Sequence, residues 1–413
     1  MTTLQRRLGV GDAVVLGLGS MLGAGVFAAF APAARAAGSG LLLGLAIAAV
    51  VAYCNATSSA RLAALYPESG GTYVYGRQRL GPFWGYLAGW AFIVGKIASC
   101  AAMALTFASY VWPAHARLVG ALAVVALTAL GLRGVQRSAW ATRLIVVVVL
   151  VVLAATVVGC LAGGQSATLR PFPGSSVHGV LQAGGLLFFA FAGYARIATL
   201  GEEVRDPART IPRAVTIALA VTVVVYAVVA LSALVAVGAP ALAGSPAPLR
   251  TAVEAGSLRW LGPAVRVGGA VAALGSLLAL LLGVSRTTFA MARDRYLPAP
   301  MAAVSARFGI PHRAEIAVAA VVVVLVLTTD LRAAIGFSSF GVLGYYAIAN
   351  ASAWTLTAAE RRPPRWVPAL GALGCVVLAV SLPLAAVASG AGVLALGVAA
   401  YAVTRRASRL DTH

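Results

Sequence analysis

Apolar runs long enough to cross a lipid bilayer follow one another along almost the whole chain of 413 residues. A membrane-spanning helix needs roughly 20 mainly apolar residues, so a chain of this length has room for about a dozen crossings. With 61% hydrophobic and 10% charged residues, the chain also has too few polar groups to cover a water-soluble globule. We therefore expect an integral membrane protein. Any functional site must lie inside the bilayer, which excludes a membrane-anchored soluble enzyme.

The apolar runs and the residues that interrupt them predict an all-α fold of twelve transmembrane helices. Their predicted limits are 12–36, 40–64, 82–112, 117–133, 139–163, 178–200, 213–238, 263–290, 313–330, 333–358, 366–386 and 388–404. The longest connection, near 239–262, is predicted as a Pro-, Gly- and Ala-rich loop, too short for a separate aqueous domain. We expect one transmembrane domain over 1–404 and a cytoplasmic tail over 405–413.

The arginines predict the orientation of the chain in the membrane. The formal charge is +20, and with the N-terminus inside, 23 arginines fall in or beside inner segments and 7 in or beside outer ones. Cytoplasmic segments carry such an excess, so the charge indicates topology and not nucleic-acid binding. The first apolar run is too long for a secretory signal and is expected to remain. We expect a multi-pass protein of the cell membrane, a bacterial inner membrane, with both termini cytoplasmic.

Cysteine, histidine and the interfacial aromatic residues give no sign of a metal or a cofactor, and none is expected. The four cysteines lie in or beside apolar segments without ligand spacing, and the histidines lie near helix ends or loops. Aromatic rings near predicted helix ends are expected to anchor the chain at the headgroups. These sets are Cys54, Cys100, Cys160 and Cys375; His115, His178, His312 and His413; and Tyr110, Trp112, Trp140, Trp260, Trp354 and Trp366.

Two predicted helices differ from the others. The first contains GLGSMLGAGVF at 17–27, and the sixth contains FFAFAGYA at 188–195. Glycines in a membrane helix often serve close packing, which is the alternative interpretation. If helices one to five repeat as helices six to ten with inverted topology, however, the first and sixth occupy equivalent positions. Broken helices at such positions indicate a transporter site near the midplane of the membrane.

A broken helix leaves backbone N–H and C=O groups without partners inside the membrane, which is tolerated where they line a cavity. The N-terminus of a half-helix suits a carboxylate. Freed carbonyls and a helix C-terminus suit an ammonium group. A pair of such breaks therefore fits the two charged ends of an α-amino acid.

Four segments give the sequence its resemblance to the amino acid-polyamine-organocation (APC) superfamily of transporters. They are GLGSMLGAGVF at 17–27, the loop PESGGTYVY at 67–75, FAGYARIATLGEEVRDPARTIPRA at 191–214, and MARDRYLP at 291–298. The resemblance implies the five-plus-five inverted-repeat fold of the bacterial leucine transporter, with repeat one over about 12–163, repeat two over about 178–358, and two further helices over about 366–404. It also implies transport by alternating access.

The same resemblance implies a set of substrate-binding residues. In the first helix these are Met21, Gly23, Ala24 and Gly25, whose N–H groups would hold the carboxylate. The sequence departs from several relatives at Ala24, where they have a hydroxyl residue, so the backbone alone would bind the carboxylate. In the sixth helix the matching residues, whose carbonyls would face the α-ammonium, with Phe189 in the position of an aromatic gate, are Phe189, Ala190, Ala192 and Gly193.

Lys96 is the single lysine among 31 basic residues and lies near the middle of the predicted third helix. A lysine at the centre of a membrane helix costs about 2.5–3.5 kcal/mol on insertion scales, so we expect a partner or a cavity beside it. It could cap stray carbonyls and brace the bundle. We favour a role in coupling transport to protons, because burial destabilises the charged form of an amine. A third role is pairing with an acidic substrate.

Arg196 is the second charge expected to be buried, and Glu203 follows it by about two helical turns. The two could form a cytoplasmic gate, or they could line a solvated inner vestibule, which we favour. We expect the mixed-charge residues that follow to brace the turn between the sixth and seventh helices. They are Glu202, Glu203, Arg205, Asp206 and Arg209.

These features predict a secondary active transporter of L-amino acids and not an enzyme, since the helices offer no cluster of catalytic groups and no phosphate-binding loop. Neutral substrates are favoured because the expected pocket has no carboxylate to pair with a cationic side chain. The alternatives are an amino acid exchanger, a carrier of acidic amino acids or amines, and a channel. The expected partners are the amino acid, the lipid bilayer and a proton, in preference to sodium, in a symporter that is a monomer or a homodimer.

Overall fold

The computed structural model describes residues 8–68, 70–133, 139–162, 176–198, 203–305 and 309–410. In this part of the chain the regular structure is helical apart from one isolated β-bridge between Leu8 and Val204. The α-helices are α1 Val10–Met21, α2 Ala24–Ala28, α3 Phe30–Ala37, α4 Leu41–Leu65, α5 Thr72–Arg79, α6 Pro82–Val111, α7 Ala116–Leu132, α8 Ala139–Leu161, α9 Val177–Phe191, α10 Ala195–Ala198, α11 Pro207–Gly244, α12 Pro248–Glu254, α13 Gly262–Arg293, α14 His312–Thr328, α15 Leu331–Trp354, α16 Trp366–Val380 and α17 Leu384–Leu410.

Among the described residues, ten helical segments are long and apolar enough to cross a membrane. The prediction of an all-α, multi-pass membrane protein is therefore confirmed. Twelve spans remain a prediction, partly because two of the expected helices are short. The ninth corresponds to α14, which has 17 residues, and the eleventh to α16, which has 15.

Three expected boundaries differ from the structure. The loop predicted near 239–262 is partly helical, because α11 bends at Gly238, where φ is 75°, and continues to Gly244 before α12 begins. Glycine adopts this positive φ without steric cost, so the chain can turn and resume its helix. The loop at 67–75 likewise contains the first residues of α5, and α17 continues to Leu410, beyond the predicted start of the tail.

Helix α5 is fastened to other parts of the chain by polar contacts. The Tyr73 hydroxyl donates to the Asp294 carboxylate just after α13, and Arg77 pairs with the same carboxylate at 3.2 Å. Arg79 forms a further ion pair with Glu360, between α15 and α16. This short helix therefore ties the segment after α13 to the connection between α15 and α16.

The expected aromatic anchors divide into two groups. The five tryptophans have exposed side chains, as residues at the headgroup level would. Tyr110 is fully buried, and its hydroxyl donates to the Phe27 carbonyl at 2.9 Å, so its assignment as an anchor is wrong. A phenol can satisfy its hydroxyl inside the protein when a carbonyl is near, which a position close to a helix end does not reveal.

Helix α6 lies at the centre of the bundle and packs against both α13 and α15. It approaches α15 closely at two glycines, since a β-carbon on Gly341 would lie 2.9 Å from the Gly95 α-carbon. Small residues permit such approach between membrane helices. The contact fixes α6 at the residue next to Lys96.

A buried polar cluster connects α4, α15 and α16. The Asn350 amide donates to the Asn55 side-chain oxygen at 2.6 Å, and the Asn55 amide donates to the Cys375 sulfur at 3.2 Å. All three side chains are buried. Hydrogen bonds of this kind hold helices together where lipid supplies no hydrophobic drive for association.

We expect Asn55→Leu to lower the free energy of unfolding by about 1–2 kcal/mol, because it removes one of the two acceptors of the Asn350 amide and the side-chain partner of the Cys375 thiol. The measurement is reversible unfolding in mixed micelles. Ser352→Ala is the matched control, since the Ser352 hydroxyl bonds within its own helix to Ile348. Equal effects of the two substitutions would contradict a role for the cluster in joining the helices.

Candidate substrate site at the breaks of the first and sixth helices

The first expected break is present between α1 and α2. Leu22 has φ −77° and ψ 44°, and Gly23 has φ −102° and ψ −142°, so neither continues the helix. The last carbonyls of α1 and the first N–H groups of α2 therefore lack partners within their own helices. Met21 and Ala24, which flank the break, are buried, as are Gly23 and Gly25.

The break in the sixth helix is a tight turn instead of an extended stretch. Helix α9 ends at Phe191, a 3-10 turn covers Ala192–Tyr194, and α10 covers Ala195–Ala198. The change in hydrogen-bond spacing releases carbonyls at the turn for other donors. Phe189 and Ala190 lie buried in the last turn of α9, directly before it.

Tyr226 of α11 connects the two breaks. Its buried hydroxyl lies within hydrogen-bond distance of two carbonyl oxygens, that of Met21 and, at 3.0 Å, that of Ala190. A phenol has one proton to donate, so it can satisfy one of these carbonyls at a time. The sequence analysis missed this residue, although a phenol in the interior of an apolar helix indicates a polar partner at that depth.

Lys96 lies at the turn of the sixth helix, beside the predicted substrate positions. Its side chain is 7% exposed, and its ammonium donates to the Ala192 carbonyl at 3.3 Å. The Tyr346 hydroxyl of α15 donates to the same oxygen at 3.5 Å. The structure therefore brings Lys96 to one of the carbonyls that the sequence analysis assigned to the α-ammonium.

The glycines of the breaks allow close contact between helices. A β-carbon on Gly25 would lie 2.6 Å from the Ala190 α-carbon, and one on Gly193 would overlap the Ser20 carbonyl. In this structure Gly25 is therefore required for contact with α9, in agreement with the packing interpretation. That packing does not exclude a role for its N–H group in binding.

Ser276 of α13 is a further residue that the sequence analysis missed. Its hydroxyl is buried, has no hydrogen-bond partner, and would overlap a β-carbon placed on Gly23. A serine in a membrane helix can bond to its own backbone, as Ser285 on the same helix does with Leu281 at 2.7 Å. A free hydroxyl thus faces the first break, and no feature of the sequence distinguishes this serine from the others.

The proposed gate residues are placed differently from the expectation. The side chain of Arg196 is exposed, so the prediction of a buried charge is wrong and the alternative of a solvated vestibule is favoured. Glu203 interacts electrostatically with Arg196, but α10 ends at Ala198, so the two do not share a helix. The Glu203 carbonyl accepts a hydrogen bond from the Leu8 N–H at 3.1 Å.

The mixed-charge segment after this point joins Leu8, just before α1, to the start of α11. Arg205 donates its N–H to the Leu8 carbonyl at 2.9 Å, and Arg209 pairs with Asp206 at 3.7 Å. Asp206 precedes the first residue of α11 with φ 45°. Glu202 lies outside the described residues. Among those described, no three His, Cys, Asp or Glu side chains are grouped so that they could hold a metal ion.

Two interrupted helices that contact each other inside a helical membrane protein are typical of multi-pass transporters. A family model described as amino acid permease matches residues 8–401, nearly the whole chain. The chain belongs to this amino acid permease family. This membership confirms the resemblance to the APC superfamily, and it confirms the prediction that the protein is a transporter and not an enzyme.

Individual relatives agree with the family assignment. The chain is 65% identical to an uncharacterized transporter of Mycobacterium tuberculosis over 415 residues, which is 99% of this chain and 94% of the relative. It is 23% identical to a branched-chain amino acid permease of Bacillus subtilis, over 75% of this chain and 72% of that protein. It is 27% identical to human cationic amino acid transporter 4, over 88% of this chain and 61% of that protein.

We expect Gly25→Ala to abolish transport and to destabilise the protein by about 1–3 kcal/mol, because the added methyl group overpacks the contact with Ala190. Uptake by reconstituted protein and thermal unfolding in detergent measure the two effects. Gly283→Ala is the matched control, since a β-carbon there meets nothing within 4 Å. Normal transport by Gly25→Ala would show that this close contact is dispensable.

Proposed function

We propose that the protein is a secondary active transporter of neutral L-amino acids that works by alternating access and couples transport to protons through Lys96. The substrate site lies at the two breaks, with Met21, Gly23, Ala24 and Gly25 on one side and Phe189, Ala190, Ala192 and Gly193 on the other. Arg196 and Glu203 line a solvated inner vestibule on the cytoplasmic side, and a gate between them is the alternative. The site binds no cofactor and no metal.

The observation that carries this proposal is the pair of helix breaks in contact inside an amino acid permease. The first break offers unpaired N–H groups at the start of α2, and the second offers carbonyls of a 3-10 turn. An N–H cluster fits a carboxylate, and carbonyls fit an ammonium group. Together they match the two groups that all α-amino acids share.

Neutral substrates fit the charges at the site. Lys96 donates to the Ala192 carbonyl at the second break, and Glu315, the one buried carboxylate among the described residues, lies in the first turn of α14 against Gly131 of α7. A cationic side chain in the site would have no counter-charge and would be repelled by a protonated lysine. Several related proteins, the human one among them, are named as cationic amino acid transporters, but the charges here favour neutral substrates.

The proposal includes the architecture that the APC resemblance implies. Twelve helices cross the cell membrane with both termini in the cytoplasm, and two inverted repeats of five helices place the two breaks in equivalent positions. The protein is a monomer or a homodimer, and a proton is the coupling ion in preference to sodium. An amino acid exchanger and a carrier of acidic amino acids or amines are the alternatives.

Reconstitution of the purified protein in liposomes tests the proposed function. Uptake of a panel of labelled amino acids is measured under imposed pH and sodium gradients. Saturable transport of neutral amino acids that responds to the pH gradient supports the proposal. Transport only when a second amino acid is present inside would favour an exchanger, and flux without saturation would favour a channel.

We expect amines that lack the carboxylate and N-acetylated amino acids to compete poorly for transport, because each loses one of the two groups that the broken helices recognise. The measurement is inhibition of labelled L-leucine uptake by isoamylamine, by N-acetyl-L-leucine and by L-leucine itself. Equal inhibition by isoamylamine would favour an amine carrier.

We expect Lys96→Ala and Lys96→Arg both to lose the response of transport to a pH gradient. Alanine has no titratable group, and a guanidinium stays protonated at any accessible pH. Uptake of L-leucine by liposomes is measured with and without a pH gradient in the absence of sodium. An undiminished response in both variants would remove Lys96 from the coupling mechanism, and selective loss of acidic substrates would make it a side-chain ligand.

A further inference from the structure

The Ala192 carbonyl is occupied by two donors from the protein itself. The Lys96 ammonium lies 3.3 Å from its oxygen, and the Tyr346 hydroxyl lies 3.5 Å away. A carbonyl oxygen has two lone pairs, and two side-chain donors of the protein already lie at this one. A substrate ammonium can reach this oxygen only if one of them leaves.

The second predicted carbonyl is also in use. Tyr226 lies with its hydroxyl 3.0 Å from the Ala190 oxygen, and its single proton is shared between this carbonyl and that of Met21. The Ala190 oxygen therefore shares its side-chain donor with Met21, whereas the Ala192 oxygen has two side-chain donors of its own. Competition between the substrate and the protein is concentrated at Ala192.

Of the two donors at Ala192, the lysine is the one whose charge conflicts with the substrate. Two ammonium groups on one carbonyl would repel each other strongly at this buried position. In the described part of the chain, Lys96 makes no salt bridge that would offset the second charge. The phenol of Tyr346 is neutral and can remain.

The titratable groups around Lys96 do not supply that missing charge. Nearest to it are the Cys100 thiol on the same helix, the Tyr346 phenol, and Tyr194, whose ring contacts that of Tyr346 at 5.0 Å. The charged residues described on the helices packed against α6 lie towards the ends of those helices. They are Arg77 and Arg79 of α5, Arg117 of α7, Arg266, Arg286 and Arg293 of α13, Arg313 and Glu315 of α14, Arg332 of α15, and Arg405, Arg406 and Arg409 of α17.

We propose that the protonated Lys96 acts as a tethered substitute for the substrate ammonium at the Ala192 carbonyl, so that a bound amino acid and a protonated Lys96 exclude each other. This inference rests on the proposed function and fixes the direction of its coupling. When the amino acid binds, Lys96 gives its proton to water on the open side of the membrane. When the amino acid leaves on the other side, Lys96 takes up a proton there and returns to the carbonyl. The protein therefore exchanges one amino acid for one proton and is not a symporter.

Binding to the purified protein in detergent tests this exclusion. Labelled L-leucine and L-alanine are titrated between pH 6 and 8, and proton release is recorded with an indicator dye in weak buffer. For the wild type we expect close to one proton released per amino acid bound, and affinity that rises by up to tenfold per pH unit. The sign follows because a higher pH favours the unprotonated lysine that the bound state requires.

Variants separate the charge of Lys96 from its hydrogen bond. Lys96→Met is expected to bind with an affinity independent of pH and to release no proton, whereas Lys96→Arg, which keeps its charge, should bind at least tenfold more weakly than Lys96→Met. Tyr346→Phe removes the neutral donor from the same oxygen and should still release a proton on binding. Size-exclusion profiles and thermal unfolding identify any variant that fails to fold. In that case the number of protons that the wild type releases per bound amino acid is sufficient to test the exclusion.

The outcomes distinguish this inference from the proposed function. Proton uptake on binding, or affinity that falls as the pH rises, would indicate symport and overturn the exclusion while leaving amino acid transport intact. Binding without any proton exchange in the wild type would overturn it equally. A protein that binds no member of a full panel of amino acids at any of these pH values would overturn the proposed function and this inference together.

Discussion

Backbone carbonyls released inside the membrane impose the constraint on which this site depends. Met21, Ala190 and Ala192 expose oxygens where water and lipid supply no donor, and an unsatisfied group at that depth costs several kcal/mol. Tyr226 of α11, Lys96 of α6 and Tyr346 of α15 provide the donors. These hydrogen bonds lower the cost of the released carbonyls, and they also hold three helices to the breaks. If either broken helix moves, the bonds must be replaced by others.

Close packing adds a second constraint on the same helices. Gly25 lies against Ala190, Gly193 against Ser20, and Gly23 against Ser276, so the two breaks and α13 meet without intervening side chains. Packed interfaces of this kind have discrete arrangements and do not deform gradually. Under the proposed function, an amino acid between the breaks requires the helices to separate as bodies, and alternating access would consist of this movement.

The sequence predicted the membrane class, an interruption in the first and sixth helices and the midspan lysine, because apolar length, glycine runs and a lone charge are local signals, but it did not predict that the sixth helix is interrupted by a tight turn. It did not predict α5, α12, or the partners of the released carbonyls. Tyr226 and Tyr346 resemble any other tyrosine until the fold brings them to a carbonyl, and the free hydroxyl of Ser276 depends on where α13 crosses the first helix. Arg196 was expected to be buried from its depth in an apolar segment, but exposure depends on the surrounding helices and not on the segment.

Lys96 is the single lysine of a chain that otherwise uses arginine, and this exception indicates what the position at the centre of α6 requires. The other basic residues are arginines, whose permanent charge is expected to set topology and pairs with carboxylates such as Asp294 and Glu360. A guanidinium at 96 would be larger than an ammonium, and it could not lose its charge. A lysine can hold the Ala192 carbonyl as a cation and release it as a neutral amine. The loss of this proton changes the net charge of the site by one without any movement of the backbone. The Ala192 carbonyl, which accepted a hydrogen bond from one ammonium group, is then free to accept one from the ammonium group of the substrate.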